Sequence, residues 1–402
     1  MPLTPSPPLP GSTVRPTVSE VFAYAEEQIR QAAAALWPGE PVELAEHVPS
    51  VTAYVRRVRL GERLLYAKVS ILGVSLVSLL RGTRGDWPTV VRKEQEYVAD
   101  SGCLASREAA QFRFLATLGR PRVSPLAGAC RGVLFTEPAT GPTLMDMLLA
   151  RPQSTANLLT RAVEGLRPLR DPATATALGP SRMIPERSIA GTFRRKFNPG
   201  TANLPQLVAE RCATDAYEDV VASQSRSVAR LHQLSTQLGP APATLAYGDF
   251  KPEHIIIRNG QWGAVLLDPG LLRAHPTMDT AKLLSRTVLA VTAKRRPPNA
   301  TRVIIEGIDQ FAEWRTRRLT RAARAVWLRE VLTLWLMDTT NITVTCLSAP
   351  SELPLPGQAL ALVDRAVAVC RMVDEASASM ASGATPQDAW ARLLECAHRA
   401  ST

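Results

Sequence analysis

Aromatic residues make up only 5% of this 402-residue chain, and no apolar run is both long and unbroken. The longest runs, 69–80 and 325–337, are shorter than the ~20 residues a membrane helix needs, so a buried strand and a buried helix are expected there instead. Cysteine is scarce and scattered: the six residues at 103, 130, 212, 346, 370 and 396 form no CxxC pair, which excludes a disulfide framework and a cysteine-based zinc site. No charged-then-apolar leader opens the sequence, and a cytoplasmic chain is expected. Acidic residues are outnumbered by basic ones, 36 against 47, for a net charge of +11. That excess is spread along the chain, stacking aromatics are few and no nucleic-acid motif accompanies it, so nucleic acid is not an expected partner. Internal repeats are absent as well. With 46% hydrophobic and 21% charged residues the chain can bury a large core, and its length suggests about two lobes.

What the chain does have is concentrated between residues 246 and 270. The string AYGDFKPEH runs into Ile255, Ile256 and Ile257, and LLDPG follows at 266–270. A polar loop carrying an Asp, a Lys and a His before one apolar strand, with a second strand ending in an Asp, brings two carboxylates to one end of a β-hairpin. Phosphoryl transfer needs that layout: one carboxylate to accept a hydroxyl proton, another to hold a metal ion, a lysine to neutralise phosphate charge. A Pro-containing polar loop is also an ordinary turn, and an Asp at a strand end an ordinary cap.

Upstream, residues 53–60 read as a strand, Gly61-Glu62 as a hairpin turn and 63–69 as the returning strand. Lys68 thus lies inside an apolar strand, as a snorkelling surface lysine or a buried functional one. Residues 106–115 have a helical pattern with Glu108 near its start, where an acid also favours the helix dipole. Residues 133–144, VLFTEPATGPTL, read as a strand, a hinge and a turn of small residues.

These segments resemble, in order, those of the aminoglycoside phosphotransferase family of the protein-kinase-like superfamily. YGDFKPEH is similar to that family's HGDxxxxN loop, and its DFKPE core to the HRDLKPEN loop of Ser/Thr protein kinases; LLDPG is similar to the metal-binding segment of both. The resemblance covers about residues 50–290. It implies an α+β bilobal protein-kinase-like fold, with a small antiparallel sheet lobe and a mainly helical large lobe. It also implies an ATP-dependent phosphotransferase with an alcohol group as acceptor, using ATP and Mg²⁺. By position, Asp249 would be the catalytic base, Lys251 a γ-phosphate contact, Lys68 the α/β-phosphate contact with Glu108 as its partner, and Glu137 part of the adenine-binding hinge. Asp268 and His254 would hold metal. Two residues depart from the pattern. Tyr247 replaces a His, and His254 replaces an Asn, as in macrolide kinases; a histidine ligand would shift the metal preference towards Mn²⁺. Residues 275–284 are similar to the family's DPxxDLA segment, which makes Asp279 an expected N-cap for the following helix. No glycine-rich phosphate loop is present: Pro49-Ser50-Val51-Thr52 is the only candidate.

The expected organisation is a disordered Pro-rich tail over 1–17, a small nucleotide-binding lobe over 18–136 that opens with a helix at 18–36, and a large catalytic and substrate-binding lobe over 137–402. A basic stretch within 169–203, with Arg182, Arg187, Arg194, Arg195 and Lys196, is either an acceptor-binding element or a solvated loop. After residue 300 helices dominate: Ile304, Ile305, Ile308 and Phe311 at helical spacing, an Arg-rich face at 315–324, a Pro-rich connector at 348–357, and helices at 358–380 and 386–399. The family resemblance favours a small-molecule hydroxyl as acceptor, in antibiotic resistance or specialised metabolism. The Lys251-Pro252-Glu253 run, closer to protein kinases, leaves a precursor peptide of lanthipeptide or thioamide-peptide biosynthesis as the alternative. A nucleotide-binding pseudokinase scaffold is a third.

Overall fold

The computed structural model describes residues 15–200, 203–240, 243–258 and 263–402, so residues 1–14 of the expected tail lie outside it. A capping box lies near the start of the described residues. Thr17 Oγ1 accepts the Glu20 N–H at 3.2 Å, and the Glu20 carboxylate accepts the Thr17 N–H at 2.8 Å. Helix α1 (Val18–Leu36) follows, with the bounds expected from sequence, and buries Val21, Ala25, Ile29, Ala32 and Ala33 along one face.

That face packs with a five-stranded antiparallel sheet in the order β1-β2-β3-β5-β4, formed by β1 (Val42–Val48), β2 (Tyr54–Leu60), β3 (Arg63–Val69), β4 (Leu126–Cys130) and β5 (Val133–Thr136). The β2–β3 hairpin turns at Gly61, whose φ of +55° suits glycine, and pairs Leu60 with Arg63 and Tyr54 with Val69. Strand β5 adds to β3 with Lys68 opposite Leu134. The apolar run 69–80 is not the single strand expected from sequence. Its pairing ends at Val69, Leu72 and Gly73 take φ of 51° and 62°, and α2 (Leu76–Leu80) begins, because these positive φ values cannot continue a strand. Helices α3 (Trp87–Ala99) and α4 (Leu104–Leu118) complete this lobe.

The second lobe is mainly helical. Helices α5 (Leu144–Ala150), α6 (Thr155–Glu164), α7 (Pro172–Leu178), α8 (Ile189–Lys196), α9 (Leu204–Val208) and α10 (Tyr217–Ser235) lead to two small antiparallel sheets. One pairs β6 (Leu245–Ala246) with β9 (Leu272–Arg273), the other β7 (Ile255–Ile257) with β8 (Ala264–Leu266). Helices α11 (Thr277–Lys294), α12 (Pro298–Thr316), α13 (Arg321–Leu347), α14 (Gly357–Asp364), α15 (Ala366–Ala381) and α16 (Pro386–Ser401) follow. The segment expected to be helical over 358–380 is therefore two helices, broken at Arg365, whose φ of −107° and ψ of 14° leave the helical region; its guanidinium donates to the Ala400 carbonyl.

Helix α13 is the axis of this lobe: from Val331 onward most of its side chains are buried around its whole circumference, so its neighbours, not one amphipathic face, fix its place. Two large hydrophobic cores result, beside a small cluster of Ala109, Phe112 and Leu134. The larger holds α13 with α11, α12, α15 and α16 around Trp335, Leu289, Ile304, Val373 and Trp390. The smaller lies between α1, α2 and the sheet, and is completed by Cys346, Ala349, Leu353, Leu355 and Ala359 from the far end of the chain. All six cysteines are free. Among the described residues no helix is long and apolar enough to cross a membrane.

Candidate active site

The hairpin register explains how residues distant in sequence converge. Ile255 pairs with Leu266, so His254 and Asp268 leave the same end of the β7–β8 hairpin, and the Leu267 N–H donates to the His254 carbonyl at 2.9 Å. Ala246 pairs with Leu272, which sets the 247–251 loop against the 267–271 segment; the Gly270 N–H donates to the Tyr247 carbonyl at 3.0 Å. Gly248 is required at the crossing: its φ is +87°, and a Cβ there would lie 2.2 Å from the Gly270 carbonyl oxygen. Tyr247, where the related pattern has His, is fully buried, with its hydroxyl donating to the Leu267 carbonyl at 3.0 Å. Asp268 itself takes a left-handed φ of 49°, a costly conformation outside glycine that turns its side chain towards the facing lobe.

Lys68 arrives from β3. Its Nζ lies 3.0 Å from Glu108 Oε1 of α4 and 3.4 Å from Asp268 Oδ1. Glu108 is therefore not a first-turn dipole partner: it is 2% exposed inside α4 and bound to a cation. Burial works against charge on Lys68, yet the Asp268 and Glu108 carboxylates outweigh it and raise the ammonium's pKa. Asp268 is held down at about 2: burial opposes ionisation, and Lys68 leads the charges that overcome it.

Asp249 is 9% exposed and crowded by basic side chains. Lys251 Nζ stands 3.3 Å from Oδ2, His254 Nδ1 3.4 Å from Oδ2, and Lys282 Nζ 3.4 Å from Oδ1. Burial alone would push this carboxyl up, but Lys251, Lys282, His254 and Arg187 together hold it well below the usual range. His254 goes the other way, and burial with the Lys251 charge lowers it to about 4, so the ring is neutral at pH 7. Its Nδ1 is buried with no hydrogen-bond partner among the described residues, and its Nε2 lies 3.9 Å from Asp268 Oδ2. One donor atom each from Asp249, His254 and Asp268 falls within 4.8 Å of the others, a set able to hold a cation.

Of the residues expected from sequence, Lys68, Glu108, Asp249, Lys251, His254 and Asp268 thus meet in one cleft. Glu137 follows β5 with its side chain exposed; its N–H donates to the Pro125 carbonyl at 2.9 Å, and its own carbonyl accepts from Ser124 Oγ. Asp279 is placed differently from the expected N-cap. It lies within the first turn of α11 and turns back, its two oxygens accepting the N–H groups of Tyr247 at 2.7 Å and Gly248 at 2.9 Å. It braces the 247–251 loop, because those two buried donors have no strand partner of their own.

Two residues were missed. Lys282 follows Asp279 by three positions on α11, so both share a helix face, and that spacing is the signal that could have found it. Arg187, from the turn Pro185–Arg187, donates from Nη2 to Glu108 Oε1 at 2.8 Å across 79 residues of sequence, and no local pattern marks it. The basic stretch around it is no solvated loop throughout. Lys196 is turned inward too, bonded to the Asn341 carbonyl at 2.8 Å and Thr345 Oγ1 at 2.6 Å; Arg194 is exposed. A cavity of about 510 Å³ lies away from this chemistry, between α4, residues 122–128 and Val265.

No protein-family model and no curated protein matches this chain. In structure it resembles kinases of small molecules. An ethanolamine kinase from Plasmodium vivax is 11% identical, over 88% of this chain and 90% of that one, with a TM-score of 0.44. A choline kinase from Cryptosporidium parvum is 10% identical, over 89% and 99%, with a TM-score of 0.47. A thermostable mutant of an aminoglycoside phosphotransferase, in ternary complex with ADP and hygromycin B, is 10% identical, over 85% and 96%, with a TM-score of 0.44.

Proposed function

We propose that this protein is a phosphotransferase that moves the γ-phosphoryl group of ATP to a hydroxyl of a small molecule. The observation that carries the reading is the buried junction of Lys68 with both Glu108 and Asp268, the latter 200 residues away, set against a recessed Asp249. A loose phosphoryl-transfer transition state asks for alignment and charge more than covalent chemistry, and this cleft offers both.

Lys68, held by Glu108, points an ammonium at the position of the α- and β-phosphates. Asp249 accepts a hydrogen bond from the acceptor hydroxyl, aligns its oxygen and takes its proton as the bond to the γ-phosphorus forms and the bond from that phosphorus to the β–γ bridging oxygen breaks, releasing ADP. Lys251 offsets charge on the transferred group. Asp268 and the neutral His254 would hold a divalent cation, Mg²⁺ or Mn²⁺, that screens the phosphate charge; the approach of donor atoms of Asp249, His254 and Asp268 to within 4.8 Å of one another fits this, and an imidazole nitrogen suits Mn²⁺ better than Mg²⁺. Glu137 would serve the hinge only beside the adenine, not through its N–H. Asp249's side chain is 12% exposed, beneath Lys251 and Lys282, which favours a compact acceptor able to reach into the cleft. The six free cysteines suit a reducing, cytoplasmic setting.

The test is ADP release with MgATP or MnATP across a panel of aminoglycosides, choline-like alcohols and Ser/Thr peptides, for wild type and Asp249→Asn. An acceptor-dependent signal that falls roughly 10²- to 10⁴-fold in the variant, with nucleotide binding retained, is expected. Equal turnover by both proteins would sink the assignment, and a signal from peptides alone would move the acceptor to that class.

A further inference from the structure

The turn that should cover the nucleotide phosphates is unfit for that task. Residues 49–53 contain no glycine, and part of their backbone is already engaged. The Thr52 and Ala53 N–H groups point to Ser50 Oγ, at 3.2 and 3.5 Å. The carbonyls of Val51 and Thr52 accept from Val77 and Leu76 at the start of α2, at 3.4 and 3.2 Å. A phosphate-binding turn works by presenting free N–H groups, and here those of Thr52 and Ala53 are turned to Ser50.

A cation comes instead from the opposite side. The turn carrying Arg187 is fixed on both flanks: the Ile184 N–H donates to the Leu271 carbonyl at 2.8 Å, and Arg107 of α4 grips Glu186 at 2.8 and 3.0 Å. The Arg187 stem then crosses the DPG segment. A Cβ on Gly270 would lie 2.7 Å from Arg187 Cγ, so glycine is needed there for the arginine to pass. Its guanidinium reaches Glu108 beside Lys68, with Asp249 and Asp268 also acting on its charge. Among the described residues the bond to Glu108 is the only one its side chain makes, and its side chain is 20% exposed.

We infer that Arg187 binds the β- and γ-phosphates of the nucleotide, in place of the full set of backbone donors that a glycine-rich turn would offer. This rests on the phosphotransferase reading above. Arginine suits the task because its planar fork can keep one nitrogen on Glu108 while another meets a phosphate oxygen; a lysine offers a point charge without that second arm. Asp268 and Asp249 leave the guanidinium in a field that a bound polyphosphate would reinforce.

Calorimetric titration of wild type, Arg187→Met and Arg187→Lys with MgATP and with AMP tests this. Arg187→Met should weaken MgATP binding roughly 10- to 100-fold and leave AMP binding unchanged, with Arg187→Lys between them. Equal weakening of both ligands would mean that Arg187 only props Glu108, and MgATP affinity equal to wild type would mean that it does not touch phosphate; either overturns the inference while the phosphotransferase reading stands. Wild type that binds no MgATP overturns both. If Arg187→Met fails to fold, the same comparison of ligands on Arg187→Lys decides.

Discussion

Glu94 lies 2% exposed inside the small lobe, where its carboxylate accepts the N–H of Leu72, the residue at φ 51° that ends the β3 run. Burial pushes this carboxyl from its ordinary 4.5 up to about 7, against the lowering effect of that one hydrogen bond. The folded value lies above the unfolded one. Its contribution to stability is therefore complete below pH 4.5 and is lost as pH rises through 7. Glu94→Gln keeps an oxygen for Leu72 and removes the titration. Its thermal midpoint should match wild type near pH 5 and exceed it near pH 8, by up to about 3 kcal/mol of stability; parallel pH profiles for the two proteins would contradict this. Glu94 itself carries no mark in the sequence. Lys68, Asp249 and Asp268 were legible because each sits within a run of neighbours whose types are dictated together. Arg187 was not, since its partner Glu108 is fixed by tertiary packing 79 residues away.

Helix α11 holds the loop that carries Asp249. Asp279 in its first turn accepts two N–H groups of that loop, and burial raises its carboxyl to about 6 although both bonds favour the charged form. In Asp279→Asn one acceptor becomes an NH₂ facing an N–H donor. Stability in denaturant should fall by roughly 1–3 kcal/mol, and turnover should fall more than nucleotide affinity, since the loop carries Asp249 rather than the Lys68 contact. An unchanged denaturation midpoint would show that the loop is held by other means. Elements with local signals were legible: the capped α1, the hairpin at Gly61, and α12 with Ile304, Ile305, Ile308 and Phe311 all buried. The run at 69–80 misled because apolar content alone does not separate a strand from a short buried helix, and the break lies in the φ values of Leu72 and Gly73.

The two lobes share more than the linker after β5. The segment after α13 crosses back to the small core, and Arg211 fastens it, donating to the carbonyls of Ala349, Pro350, Ser351 and Leu353 at 2.9, 2.5, 3.0 and 2.8 Å. Arg211→Ala leaves those carbonyls without their guanidinium and should cost roughly 2–4 kcal/mol. Hydrogen exchange should show β3 amides opening before those of α13 in the variant, whereas in wild type the two open together; identical ordering in both would refute the link. Cys346, Ala349, Leu353, Leu355 and Ala359 thus belong by packing to a lobe that the rest of the chain left some 200 residues earlier. The small lobe is for that reason not a cassette. A recombination that exchanged it between related chains at the linker would inherit a core with its last wall missing, unless it carried the stretch around residues 346–359 as well.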